Sequence, residues 1–175
     1  MRTRICKIIL YSLVFIFLLT IVIVYLCANG NFPFSIDELR NVNLSPLFNY
    51  YEKHIRGNLF AGLISVGGFL MTGKTFILVT MKQNVFDDKI YIENYIKMRK
   101  HNPELSQYGP LVQLKDILYY SVYFTIISAI IQITIGLIPF WYFSLFSIFT
   151  AIFSIALVID SLNLIKKNLD YWIKN

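Results

Sequence analysis

One stretch of the sequence fits a pattern with defined chemistry. Residues 68–75, GFLMTGKT, match G-x-x-x-x-G-K-[ST], the loop in which backbone N–H groups and a lysine hold nucleotide phosphates. That chemistry requires free N–H groups between a strand and a helix. Here Phe, Leu and Met occupy variable positions of the loop, and the stretch lies inside a long apolar run. We therefore expect it to form a membrane helix, whose N–H groups are already bonded along the helix.

The other reactive residues do not combine into a catalytic or metal site. The only histidines, His54 and His101, fall on opposite sides of the predicted membrane, and Cys6 and Cys27 lie at opposite ends of one apolar run. Neither pair has metal-ligand spacing, and neither a nucleophile elbow nor a zinc-protease motif is present. We expect no enzymatic activity, no cofactor and no metal.

The composition indicates a membrane protein. Hydrophobic residues make up 57% of the 175 residues and charged residues 15%, whereas a soluble chain has about 25% charged residues. The chain contains four apolar runs of about 20 residues, the length with which a helix crosses the hydrocarbon. They lack the alternation of barrel strands. We predict one all-α membrane domain with four transmembrane helices, at about 8–27, 58–81, 117–138 and 140–160.

The lysines and arginines predict the orientation. Twelve of them lie in the N-terminal tail, the segment 82–116 and the tail 161–175, and three lie in the segment 28–57. Because cytoplasmic segments carry the excess, we predict that both termini are cytoplasmic and that the protein lies in the inner membrane of the cell. The formal charge of +6 then reflects topology, so it does not indicate nucleic acid.

The outer segment, 28–57, carries two helix-start signals. Residues 35–38, SIDE, fit a capping box, in which Ser and Glu side chains bond free backbone N–H groups. Ser45 and Pro46 place a capping residue before a proline at the first helical position. We predict two short helices here, the second leading into the second span.

The inner segment, 82–116, predicts an amphipathic helix with a basic end. Asp87 and Asp88 can cap this helix, which ends near Asn102. Its surface could lie on anionic lipid, cover a partner or neighbouring subunit, or pack on its own bundle. The fourth span continues as an amphipathic helix into the tail. The basic residues of this partner or lipid surface are Lys97, Arg99 and Lys100.

Three of the four runs carry a stripe of small or polar residues at spacings of three and four, which places each stripe on one helix face. Small residues and hydroxyls favour contact between membrane helices. We therefore expect the stripes to face other helices, and the first helix, which has none, to lie outside this unit. In an oligomer the hydroxyls could instead line a hydrated pore. The stripes are Ala61, Ser65, Gly68, Thr72 and Thr75; Ser121, Thr125, Ser128 and Gln132; and Ser144, Ser147, Ala151 and Ser154.

Two charged residues lie within or at the end of a span. Lys74 lies about eight residues from the inner end of the second span, and Asp160 lies at the inner end of the fourth. Ionisable groups in membranes are rare and usually paired. We expect Lys74 to face inward and contact Asp160, Asp116 or a backbone carbonyl, with a snorkelling lysine as the alternative. The intramembrane candidates are Lys74, Gln132, Asp160, Thr72 and Gly68, of which Gln132 should bond across the bundle.

These features favour two functions. The first is a small homo-oligomeric protein that forms or controls a membrane pore, as a membrane-disrupting effector gated through its cytoplasmic helix. The second is a non-catalytic adaptor or accessory subunit that docks a cytosolic protein on that helix and on the C-terminal tail. The expected partners are the lipid bilayer, further copies of the chain and, under the second hypothesis, one cytosolic protein.

Overall fold

The computed structural model describes the backbone of residues 2–28 and 42–173, and the side chains of residues 4–28 and 42–167. Within these ranges the chain is all-helical and forms no strand. The short helix predicted at residues 35–38 lies outside the described residues. The helices are α1 (Arg2–Cys27), α2 (Ser45–Tyr50), α3 (Arg56–Met81), α4 (Lys89–His101), α5 (Gly109–Ile133) and α6 (Trp141–Ile173).

Among the described residues, four helical segments are long and apolar enough to cross a membrane, as the apolar runs predicted. Two π-helical turns lengthen the second segment, because Tyr51–Ile55 joins α2 to α3 and Lys82–Phe86 continues α3. A 3₁₀ turn, Ile135–Leu137, connects α5 to α6. The four segments are Arg4–Cys27, Ser45–Phe86, Gly109–Leu137 and Trp141–Lys167.

The predicted caps agree with the structure at α4 and differ at α2. The Asp88 side chain accepts a hydrogen bond from the Ile90 N–H at 3.2 Å, and α4 ends at His101, just before Asn102. In α2 the N-cap position is Leu44, which makes no side-chain cap bond, and the Oδ1 of the preceding Asn43 accepts from the Ser45 N–H at 3.0 Å. Ser45 is therefore the first helical residue rather than the cap. The predicted continuation of the fourth span is confirmed, because α6 runs without a break to Ile173.

The chain divides into two compact units. The first unit consists of Met1–Val66 and Phe124–Ala156, and the second consists of Gly67–Tyr123 and Leu157–Asn175. The helices α3, α5 and α6 each cross a boundary between these ranges. Each of them therefore has one part in the first unit and the other part in the second.

Each unit has its own apolar cluster. The cluster of the first unit contains two alanines, which let helix backbones approach closely, whereas that of the second is built from larger side chains. The buried members are Leu63, Ala129 and Ala151 in the first unit. In the second unit they are Met81, Phe86, Leu114 and Leu118.

Helix α1 is partly covered, although the sequence predicted that it would lie outside the packed helices. Among its described side chains, Ile8, Ser12 and Val24 are buried, whereas most other large side chains of α1 are exposed. At 100° per residue, Ile8 and Ser12 share one face, and Val24 lies about 160° around the helix from Ile8. The buried positions of α1 therefore do not form one continuous face.

Candidate functional site

The most connected polar side chain in the first unit is Gln132 of α5. Its Oε1 accepts a hydrogen bond from the Tyr51 hydroxyl at 2.7 Å, and its Nε2 donates to the Ser147 carbonyl at 2.8 Å and to the Ser128 carbonyl at 3.4 Å. Gln132 and Tyr51 are fully buried. The network thus joins the π turn after α2 to α5 and α6, and it confirms the expectation that Gln132 bonds across the bundle.

Tyr51 reaches this network from the first position of the π turn Tyr51–Ile55. Its neighbour Tyr50 is 61% exposed, whereas Tyr51 is fully buried. Tyrosine is a residue type that suits the membrane–water boundary, and the sequence does not distinguish Tyr51 from Tyr50. A tyrosine hydroxyl needs a partner when it is buried, but nothing local indicates that its partner lies 81 residues away.

A second buried group extends the network along α5 and α6. The Ser128 hydroxyl donates to Thr150 Oγ1 at 3.2 Å, and the Thr150 hydroxyl donates to the Ser147 carbonyl at 2.8 Å. Ser144 and Ser147 are also fully buried. The stripes of the third and fourth spans are therefore covered within a single chain, as expected for packing between helices, and they do not present a wet surface.

Gly136 closes the network at the connection between α5 and α6. A β-carbon at this position would collide with the Tyr51 hydroxyl and would lie 3.3 Å from Tyr51 Cζ and 3.4 Å from Ser147 Oγ. Glycine is thus required here because the tyrosine fills the space that a side chain would occupy. The sequence offered no signal for this role.

The stripe of the second span faces the opposite way from its prediction. The buried side chains of α3 are Leu63, Leu70 and Met81. At 100° per residue, the stripe is centred about 160° from this buried face. The reason is that hydroxyls in a helix can bond their own backbone, as Ser65 does to Ala61 and Thr72 does to Phe69 and Gly68. All five stripe residues, Ala61, Ser65, Gly68, Thr72 and Thr75, are exposed in the single chain.

Lys74 lies on the partly buried side of α3 but has a different partner from those predicted. Its Nζ stands 4.9 Å from the centre of the Tyr119 ring, in cation–π geometry. The carboxylate of Asp116 instead pairs with Lys115 Nζ at 3.2 Å. An aromatic ring can hold an ammonium group without a second charge in the span. The sequence-based prediction named carboxylates and a backbone carbonyl as partners of Lys74 and did not include an aromatic ring. Asp160 is half-buried in α6.

The intramembrane candidates do not fall in one unit. Gln132 belongs to the first unit, whereas Lys74, Gly68, Thr72 and Asp160 belong to the second. Within α3, Gly68 and Thr72 share the exposed face and Lys74 lies on the partly buried one. The structure therefore separates a buried polar network around Gln132 from an exposed small-residue face on α3.

In the second unit, two tyrosine hydroxyls of α4 bond to the segment that follows the helix. Tyr91 donates to the Gln107 carbonyl at 2.7 Å, and Tyr95 donates to the Leu105 carbonyl at 3.0 Å. Phe86 is buried between the rings of Tyr91 and Tyr108. α4 is thus held as a defined element rather than as a loose surface helix.

A further hydrogen bond closes this arrangement. Tyr108 donates to Asp87 Oδ1 at 2.8 Å. This bond to the Asp87 carboxylate raises the pKa of Tyr108, with smaller contributions from burial and from the negative charge of Asp87. The hydroxyl therefore stays protonated at neutral pH and keeps donating.

The basic end of α4 remains exposed. Lys97, Arg99 and Lys100 are all exposed, and the Arg99 guanidinium lies 6.0 Å from the centre of the Tyr95 ring. Because Tyr95 is itself buried and bonded, it limits the positions that Arg99 can take. All three residues that the sequence predicted for a partner or lipid surface are therefore accessible, and their role stays a prediction.

No protein-family model matches the chain, and neither a curated protein nor a solved structure is significantly similar to it.

Proposed function

We propose that the chain is a self-associating membrane protein that forms or controls a pore, with both termini in the cytoplasm. The observation that carries this proposal is the exposed small-residue face of α3, defined by Ala61, Ser65, Gly68, Thr72 and Thr75. In a bilayer, such a face favours close contact between helices over contact with lipid. Gly68 lies on this face, and the open space around it supports close approach by a second backbone.

A pore follows if copies of α3 surround a common axis. The hydroxyls of Ser65, Thr72 and Thr75 would then line the path of water, while the opposite face of each helix keeps its contacts within the chain. Gln132 does not belong to this path, because it is fully buried and bonded inside the first unit. A substitution at Thr72 therefore tests whether this face of α3 lines the pore.

Thr72→Leu is expected to reduce ion leak through proteoliposomes by at least about tenfold, because an apolar ring dewets a narrow pore. The matched control is Val66→Leu, at an exposed position of α3 about 140° from the centre of the stripe. The measurement is efflux from vesicles that hold equal amounts of purified protein. Absence of leak with the wild-type chain under every applied voltage and pH would exclude the pore.

Self-association can be tested separately from conduction. With Cys6 and Cys27 replaced by serine, Thr72→Cys is expected to form a disulfide-linked dimer in the membrane, whereas Val66→Cys is not. Equal cross-linking at both positions would contradict an interface on the small-residue face of α3.

A second candidate function, a membrane adaptor, is favoured by the exposed basic surface of α4. Two tyrosine hydroxyls hold this helix against the segment that follows it, and Lys97, Arg99 and Lys100 are exposed on the same helix. Such a surface suits an acidic cytosolic protein.

Reversing all three charges to glutamate is expected to abolish co-purification of one stoichiometric cytosolic protein with the full chain. Lys53→Glu, an exposed charge reversal in the segment predicted outside, should leave it unchanged. If the triple variant alters only binding to anionic vesicles, the adaptor function is excluded.

A further inference from the structure

We propose that a groove in the second unit binds one anionic phospholipid from the surrounding bilayer. The groove has a volume of about 250 Å³ and lies between the end of α3 and the start of α5. Its lining residues are Leu78, Val79, Lys82, Leu111, Val112 and Lys115. The proposal depends on the chain being embedded in a bilayer, and on neither the pore nor the adaptor function.

The floor of the groove is apolar and well supported. Leu78 and Leu111 pack against the buried cluster of Met81, Phe86, Leu114 and Leu118, which fixes their positions. Val79 and Val112 are 48% and 47% exposed, so the groove is open along its length. Pockets for compact small molecules usually measure about 300–1,000 Å³ and contain several polar groups in their walls. A smaller, open and apolar groove suits an acyl chain better.

Two lysines flank the groove, which they line through the carbon atoms of their side chains because its surface is almost wholly apolar. Lys82 directly follows the second apolar run, and Lys115 lies just before the third, so both stand where the spans meet the headgroup region. Lys115 also pairs with Asp116 at 3.2 Å. Two ammonium groups and one carboxylate leave a net positive charge at the rim. This charge favours a phospholipid with a negative headgroup over a zwitterionic one, with the phosphate between the lysines and a chain on the apolar floor.

The test compares phosphatidylglycerol with phosphatidylcholine, added to the purified full chain in neutral detergent and counted as bound lipid by native mass spectrometry. The wild-type chain is expected to bind phosphatidylglycerol about tenfold more tightly than phosphatidylcholine. Lys82→Gln with Lys115→Gln should remove this preference, and Val112→Trp, which fills the groove without changing its charge, should weaken the binding of both lipids.

Two controls separate the groove from general surface effects. Lys7→Gln with Lys89→Gln removes the same charge from exposed positions of α1 and α4 that do not line the groove, and should keep the preference. Val22→Trp adds a ring at an exposed position of α1 and should leave both affinities unchanged. The proposal is overturned if the wild-type chain binds both lipids equally, if the double variant at Lys7 and Lys89 loses as much preference as the groove variant, or if Val112→Trp has no effect.

Discussion

Gln132→Leu is expected to lower the free energy of unfolding by about 1–3 kcal/mol, because it removes the side chain that accepts a hydrogen bond from the buried Tyr51 hydroxyl. The carbonyls of Ser128 and Ser147 lose little hydrogen-bond energy, since both belong to helices and the Ser147 carbonyl also accepts from Thr150. The Ser147 side chain remains as a polar neighbour of the Tyr51 hydroxyl. Hydrogen bonds in membranes average only about 0.6 kcal/mol, so most of the expected loss comes from a buried hydroxyl that no longer has its amide acceptor.

A double-mutant cycle isolates this effect. If the loss comes from Tyr51, adding Tyr51→Phe to Gln132→Leu should recover about 1 kcal/mol or more, since replacing both partners by apolar groups removes the unsatisfied group. Unfolding in mixed micelles of rising SDS content measures the difference. The control is Thr134→Val, which deletes an exposed hydroxyl bonded to the Ile130 carbonyl and should cost less than about 0.5 kcal/mol. The network would be contradicted if Gln132→Leu lowered the free energy of unfolding equally in the wild-type and Tyr51→Phe backgrounds.

The sequence predicts the spans and several helix ends well, because these features depend on local patterns. A run of about 20 apolar residues must cross the hydrocarbon as a helix whatever its neighbours are. The cap at Asp88 also follows from local chemistry, as does the end of α4 before Asn102 and Pro103. Tertiary packing extends α5 back to Gly109, since Leu111 and Leu114 join the cluster of the second unit.

The direction in which a helix face points is harder to predict. The same small and polar pattern occurs on α3, where it is exposed, and on α5 and α6, where it is buried. In a membrane helix, serine and threonine satisfy themselves by bonding to their own backbone, so they cost little when they face outward. Gln132 cannot do this as completely, because its amide carries both donors and an acceptor. Its burial could therefore be predicted, whereas the exposure of Ser65 and Thr72 could not.

Long-range partners could not be predicted from the sequence. The partner of Gln132 depends on the π turn that directs Tyr51 inward, and a π turn has no reliable local signature. For Lys74, the prediction named carboxylates and a backbone carbonyl as partners, whereas in the structure its ammonium group lies over the Tyr119 ring. Both contacts depend on how distant helices pack, which a single sequence leaves undetermined.

Gly136→Ala is expected to lower the free energy of unfolding by about 1–3 kcal/mol, which is the usual cost of adding volume to a tightly packed site. The added methyl group would meet the Tyr51 hydroxyl, and the ring is held in place by its bond to Gln132. Relief therefore requires either movement of the ring, which breaks that bond, or displacement of the connection between α5 and α6.

Replacing glycine by alanine at another position provides a control in which the free energy of unfolding is expected to rise. Gly62 lies inside α3 with open space around it, so Gly62→Ala should stabilise the chain by about 0.5–1 kcal/mol through helix propensity. Tyr51→Phe removes the hydroxyl that lies nearest to the added methyl group at Gly136 and leaves contacts at 3.3 Å and 3.4 Å. In the Tyr51→Phe background, Gly136→Ala should therefore lower the free energy of unfolding by less than about 1 kcal/mol. A loss that is independent of Tyr51 would show that backbone conformation, rather than the tyrosine, requires glycine at this position.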